Sequence, residues 1–215
     1  MRSRSRLRGT LRTISAVLLV ILITGEAEAQ DLRLRERLEP GTAATVIALM
    51  DSARTLELPT EPLVQKALEG ESKGATGDAI VRAVRSLIHD LVTARKALGG
   101  EIGEGELLAA ATVLHVGGTP GQLERLRLHR SHAALSAGLT GLAYLISRGV
   151  PAEQSTDLIV AMLNARLPGR AFATLQELVE TDVRAGAPVT TAATAHVNAL
   201  IRMGPSDRTS GGRRP

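Results

Sequence analysis

The chain has 215 residues, 26 Lys+Arg against 22 Asp+Glu, no cysteine, no tryptophan, one tyrosine and one phenylalanine. Without cysteine there is no disulfide, no thiolate zinc site and no thiol nucleophile. With so few aromatics there is no platform for stacking bases or sugars, and the fold must rest on aliphatic burial.

Residues 1–29 read as a secretory leader. Arg2, Arg4, Arg6, Arg8 and Arg12 open the chain, an apolar run extends from Ile14 to Ile23, and Ala27-Glu28-Ala29 forms a small-x-small cleavage site. Cleavage after Ala29 makes Gln30 the first mature residue. The 13 residues between Arg12 and Glu26 fall short of the roughly 20 that a spanning helix needs. No cysteine follows for a lipid anchor, and no paired arginine marks a twin-arginine route. Removing the leader takes away five arginines and two acids, Glu26 and Glu28, and lowers the formal net charge from +4 to +1. The basicity therefore belongs largely to export. The remainder lacks the clustered positive charge that neutralises phosphates, which excludes nucleic acid as a partner. Arginine outnumbers lysine 23 to 3 and alanine is abundant, a bias of GC-rich bacterial coding. The expected destination is the periplasm or beyond.

After the leader, alanine and leucine dominate, and neither strand alternation nor an Asn-Gly or Asp-Gly hairpin turn occurs. The expected fold is all-α: an irregular multi-helix bundle or a short, solenoid-like helical-hairpin array of about 8–9 helices. Residues 30–40 read as a frayed turn. Helices are expected near 42–56, 60–72, 77–98, 104–116, 120–130, 132–148, 151–166, 169–184 and 188–203. The clearest spans 77–98. There Ile80, Val84, Leu87, Ile88, Leu91 and Leu98 make an apolar stripe, with Asp78, Arg82, Arg85, His89 and Lys96 opposite. The 15-residue uncharged run Ala133 to Ser147 is too short to span a bilayer. Its small residues Ala134, Ala137, Gly138 and Gly141 suit close packing among helices.

Four breaks share one grammar: Gly74-Ala75-Thr76, Gly118-Thr119-Pro120, Gly149-Val150-Pro151 and Gly186-Ala187-Pro188. A left-handed glycine ends one helix. Proline at the first helical position, or a Thr76 hydroxyl cap, starts the next. Further starts are read at Pro59-Thr60-Glu61-Pro62 and Leu167-Pro168. The uneven spacing of the breaks suits either a degenerate hairpin repeat or a compact bundle. One domain is expected over 30–203, followed by a polar, Gly-rich and Arg-rich tail over 204–215 with the composition of disorder.

Chemistry-bearing residues are scattered. His129 and His132 stand i,i+3, but Arg130 and Ser131 lie between them and no acid stands nearby. His89, His115 and His196 are isolated, whereas a catalytic zinc needs three converging ligands. The acids Glu57, Glu61, Glu69, Glu71, Glu104 and Glu106 lie near helix ends or charged neighbours, where carboxylates are ordinarily solvated. No Gly-x-Ser-x-Gly or Ser-x-x-Lys motif occurs. Gly99-Gly100 and Gly117-Gly118 follow helices, not strands, so helix termination explains them better than a phosphate loop. No catalytic, cofactor-binding or metal residue is assigned, and no cofactor is expected.

The segment from Leu58 to Gly74, LPTEPLVQKALEGESKG, followed by Ile80-Val81-Arg82-Ala83-Val84, resembles a stretch found in exported all-helical bacterial proteins that have no assigned activity. The likeness covers about residues 58–98. It implies helices and export, and it transfers no site residues. Local chemistry explains the segment equally well. Leu63, Val64, Ala67 and Leu68 form one face, and Glu69 and Lys73 pair at i,i+4 on the other.

The functional expectation is a non-catalytic helical protein that binds a protein partner in the bacterial envelope. A carrier or sensor of an apolar ligand or lipid is the alternative, and an enzyme comes third.

Overall fold

The structure, a computed structural model, describes residues 28–99, 102–129 and 135–204. It contains ten helices and no strand among them. They are α1 over 28–37, α2 Pro40–Thr55, α3 Glu61–Ser72, α4 Gly77–Leu98, α5 Glu104–His115, α6 Pro120–Arg127, α7 Leu135–Ser147, α8 Ala152–Asn164, α9 Gly169–Arg184 and α10 Val189–Met203. The all-α expectation holds. Residues 1–27 of the segment read as a leader over 1–29, residues 205–215 of the expected tail, and His132 lie outside the described residues. The chain divides into two compact units, residues 1–88 and 89–215, with the division inside α4.

In the first unit, α1 replaces the expected frayed turn. Leu34 and Leu38, one helical turn apart, are 0% and 6% exposed. That burial stabilises a segment too polar to signal a helix by itself. Arg33 and Arg37 reach from α1 to Glu61 and Glu71 on α3, at 2.9 and 3.0 Å. On α2, Val46, Met50 and Ala53 follow helical spacing into the core, as do Leu63, Val64 and Ala67 on α3. Gly77 of α4 sits so close to α2 that an added Cβ would lie 2.1 Å from Thr42 Oγ1. Thus α1 is tied to α3, and α2 to α4. Along α4, Ile80, Val84, Leu91 and Leu98 are buried while Asp78, Arg82, Arg85, His89 and Lys96 are exposed.

The second unit repeats this scheme. α5 packs on α7 and α7 on α9, while α6 packs on α8 and α8 on α10. The chain-adjacent pairs α6–α7, α7–α8 and α9–α10 join the two rows. This is the two-layer stacking of helical hairpins. Polar ties between next-but-one helices link residues 28 to 40 positions apart. In the first unit such ties span 28 and 34 positions. The hairpin period is therefore similar in both units although its sequence repeat is faint.

α7 is the most tightly packed element of the second unit. A Cβ on Gly138 would meet Leu163 at 3.4 Å, and one on Gly141 would meet Ile159 at 3.1 Å and Phe172 at 3.4 Å. Gly138 and Gly141 thus do what their place in the uncharged run predicts. They let α8 and α9 approach the α7 backbone.

Six loops close by the same paired hydrogen bonds. The N–H of a left-handed residue bonds back to a carbonyl three residues earlier, and the next N–H reaches five residues back. Gly74, Gly149 and Gly186 do this as predicted. The loop between α5 and α6 differs from expectation: its left-handed residue is Gly117, φ 101°, not Gly118. Gly118 is required for space, since a Cβ there would lie 2.4 Å from Val113 Cγ1 and 2.8 Å from the Val113 carbonyl oxygen. Two further loops reach the left-handed region without glycine, at Glu57 (φ 55°) and Arg166 (φ 53°). In each, the next residue is an apolar anchor: Leu58 and Leu167 are 5% and 3% exposed.

The helix starts also need one adjustment. Pro40 and Pro120 occupy the first helical position, but Pro151, Pro168 and Pro188 sit one residue earlier, at the N-cap. A proline N-cap offers no side-chain acceptor, yet its extended backbone still directs the chain into the helix. The Thr76 hydroxyl accepts from Ala79 N–H at 3.4 Å, as expected of a cap. At α6, Thr119 and Gln122 form a capping box. The same buried Gln122 donates to Glu153 of α8 at 3.0 Å, so one side chain both starts a helix and ties it to the next-but-one.

Candidate functional site

The second unit carries a groove of about 290 Å³ between α5 and α7. Its walls are mostly short side chains: Ala109 and Thr112 from α5, Thr140 and Ala143 from α7, with Val116 and Tyr144 at its margin. Helical spacing explains the trough. Ala109 and Thr112, like Thr140 and Ala143, are three residues apart and share a helix face. Short residues there leave space that leucines would fill.

Tyr144 is fixed at the edge of this groove by α9. Its hydroxyl donates to Glu180 Oε1 at 2.9 Å and lies 3.3 Å from the Gln176 carbonyl oxygen. Arg148, four residues further on and just past the end of α7, places Nε 2.9 Å from the same Glu180 oxygen. Burial, reinforced by the Glu180 carboxylate, pushes the Tyr144 phenol up to about 12, and Arg148 opposes that shift. The phenol is therefore a protonated donor throughout the physiological range. Its ring presents a rigid, half-buried anchor of the kind enriched at protein interfaces.

The first unit has a wider depression of about 620 Å³ beside α2. Ala43, Ala44 and Ile47 form its floor, and Arg35, Pro40 and Asp51 stand around it. Asp51 is also held by Arg54, which binds it at 2.6 Å and Asp31 of α1 at 3.1 Å.

The histidines and acids weighed in the sequence are dispersed through the fold. His89 is exposed on α4. His115 Nδ1 lies 3.5 Å from Asp90, whose Oδ2 is buried without a hydrogen-bond partner. His196 Nε2 lies 2.8 Å from Asp182. Among the described residues no group of three or more His, Cys, Asp or Glu converges as a metal site. Glu61 is held by Arg33, Glu71 by Arg37, and Glu69 by Lys66 and Lys73. Partial burial pulls the Glu61 carboxyl upward. The hydrogen bond and charge of Arg33, with Gln65 and Gln30, outweigh it and hold the group below its ordinary value. Hydrogen bonds from Lys73 and Lys66 likewise lower Glu69. Glu104 and Glu106 occupy the first turn of α5, where they complement the helix dipole. Each of these acids has a structural reason for its place.

Sequence reasoning missed the Tyr144–Glu180–Arg148 cluster. Tyr144 and Glu180 are 36 residues apart, and only the stacking of α7 on α9 joins them. The one available signal was that a lone tyrosine stands in an otherwise aliphatic run.

Fold and groove together define an all-helical protein of stacked hairpins, at least within the second unit, with an open trough on one row of helices. No protein family, curated protein or solved structure matches the chain. Among the described residues no helix is long and apolar enough to cross a membrane.

Proposed function

We propose that the chain is an exported, non-catalytic docking protein, and that an amphipathic helix of a partner protein seats in the α5–α7 groove. The observation that carries this reading is the trough of short side chains beside the pinned Tyr144. A third helix laid along two parallel-stacked ones is a recurrent recognition mode, with apolar anchors at helical spacing. The envelope location rests on the leader read over residues 1–29, with its arginines, apolar run and Ala27-Glu28-Ala29.

The test is affinity capture from the envelope fraction with wild type and with Thr140→Arg, whose long side chain fills the trough from an exposed position. A protein retained by wild type and lost by Thr140→Arg, with the helical circular-dichroism signal intact, supports the reading. Equal retention by both, or no enriched protein with either, sinks it.

A second reading, an apolar-ligand carrier, draws on the α2 depression, whose size falls within the range of small-molecule pockets and whose floor is aliphatic. Native mass spectrometry of protein from its source distinguishes the two. A persistent small-molecule adduct lost on Ala44→Arg favours the carrier, and a bare mass removes it.

A further inference from the structure

The proposed leader cleavage has a chemical consequence. It would leave Gln30 as the N-terminal residue, and an N-terminal glutamine is reactive. Its α-amine can attack its own side-chain carbonyl carbon, Cδ. A Cδ–N bond forms, the Cδ–Nε2 bond breaks, ammonia leaves and the terminus becomes an uncharged five-membered lactam. No oxidant, reductant or second substrate is required. The reaction does require the carboxamide to fold back over the backbone nitrogen.

In the structure that carboxamide is engaged elsewhere. Gln30 Nε2 donates to Glu61 Oε2 at 3.3 Å. Its Oε1 accepts from the Thr60 hydroxyl at 3.0 Å and from Arg54 Nη2 at 3.4 Å. The three partners come from two other segments, the end of α2 and the start of α3, and the contacts are partly buried. Glu61 is itself fixed by the two-contact grip of Arg33. Arg54 is fixed by Asp31 and Asp51. The residue exposed by cleavage thus has a side chain that reaches both α2 and the start of α3, beside the ion pairs that already tie α1 to them.

We infer that Gln30 is a latent cyclisation site that the folded first unit holds open: the mature terminus keeps its free amine and intact carboxamide because Thr60, Arg54 and Glu61 keep Cδ away from it. This rests on cleavage after Ala29. Ring closure needs all three contacts to break. With ordinary net hydrogen-bond strengths, losing two of them corresponds to about tenfold or more in the population of the released side chain.

Thr60→Val is a clean perturbation, since the Thr60 side chain makes no capping bond to α3. Thr60→Val combined with Glu61→Gln loosens two of the three contacts. The experiment is peptide and intact mass spectrometry of the exported wild type and both variants, incubated folded and in urea. Four findings support the inference: a terminus at Gln30, no ammonia loss in folded wild type, closure in urea, and closure at least about tenfold faster in the folded double variant than in wild type. Folded wild type closing as fast as in urea overturns the protection and leaves the cleavage reading intact. So does a double variant, still helical by circular dichroism, that closes no faster than wild type. A terminus other than Gln30 overturns both.

Discussion

The two units stack helices in the same order but join them differently. In the first, α1 meets α3 largely through charge: Arg33–Glu61 and Arg37–Glu71 flank the buried Leu34 and Leu38. In the second, α7 meets α8 and α9 by backbone proximity, with Gly138 and Gly141 admitting Leu163, Ile159 and Phe172. Exposed ion pairs fix register at little net energy. Close apolar packing contributes more per residue and tolerates less change. The contrast teaches that one hairpin geometry can be maintained by two kinds of contact. A sequence repeat need not survive when the geometry does.

The strongest challenge to this contrast is Phe172→Ala. Phe172 is 1% exposed and fills the space that Gly141 creates. Its loss should cost about 3–5 kcal/mol in urea unfolding. A cost near that of a surface pair would show that α7 is not the tight seam described.

Tyr144 gives the next largest effect. As the chain's one tyrosine, in a protein without tryptophan, it can be titrated by phenolate absorbance without ambiguity. Its midpoint should lie near 12, and Glu180→Gln should bring it down toward the ordinary 10.0. Because the folded value is raised, the stability contribution is fully present below 10.0 and is lost as pH rises toward 12. A midpoint at the ordinary value would separate α7 from α9 at this point.

Smaller effects should follow in the first unit. Arg33→Ala should cost less than about 1 kcal/mol, since both members of the pair are substantially exposed. That cost should shrink further in about 1 M salt, where screening acts over about 3 Å. Glu61 has a lowered folded value, so its contribution is present above its ordinary 4.5 and is lost as pH falls through the folded value. Arg33→Ala should flatten this acid limb. An Arg33→Ala cost as large as that of Phe172→Ala would erase the distinction between the units.

The smallest expected effect is a gain. Arg166 pays a left-handed backbone penalty that glycine avoids. Part of that gain is offset by the extra freedom glycine has when unfolded. Arg166→Gly should therefore stabilise by about 0.5 kcal/mol, read as a small rise in Tm.

Helix positions were legible because apolar spacing and Gly-x-Pro punctuation are local signals. The stripe on α4 and the small residues of α7 could be read directly. α1 could not, since Leu34 and Leu38 gain their helical preference from burial against other segments. The hairpin period stayed hidden for a related reason. Loops at Glu57 and Arg166 use the same closure as the glycine loops, yet neither residue type announces a left-handed backbone. At the α5–α6 loop two adjacent glycines have different jobs, one conformational and one steric, and spacing alone assigned the wrong one. The groove was equally hidden. Ala109, Thr112, Thr140 and Ala143 are unremarkable along the chain and become a trough only when α5 lies on α7.

Next-but-one stacking also sets how the second unit should respond to force. Among the described residues its main contacts join adjacent or next-but-one helices, so its ties run between segments about one hairpin apart. A pull on the C-terminal end should peel α10 and then α9 away before α7 is disturbed. Unravelling would advance in short steps and could reverse at each. Such a body can yield at its margin while the α5–α7 trough keeps its shape.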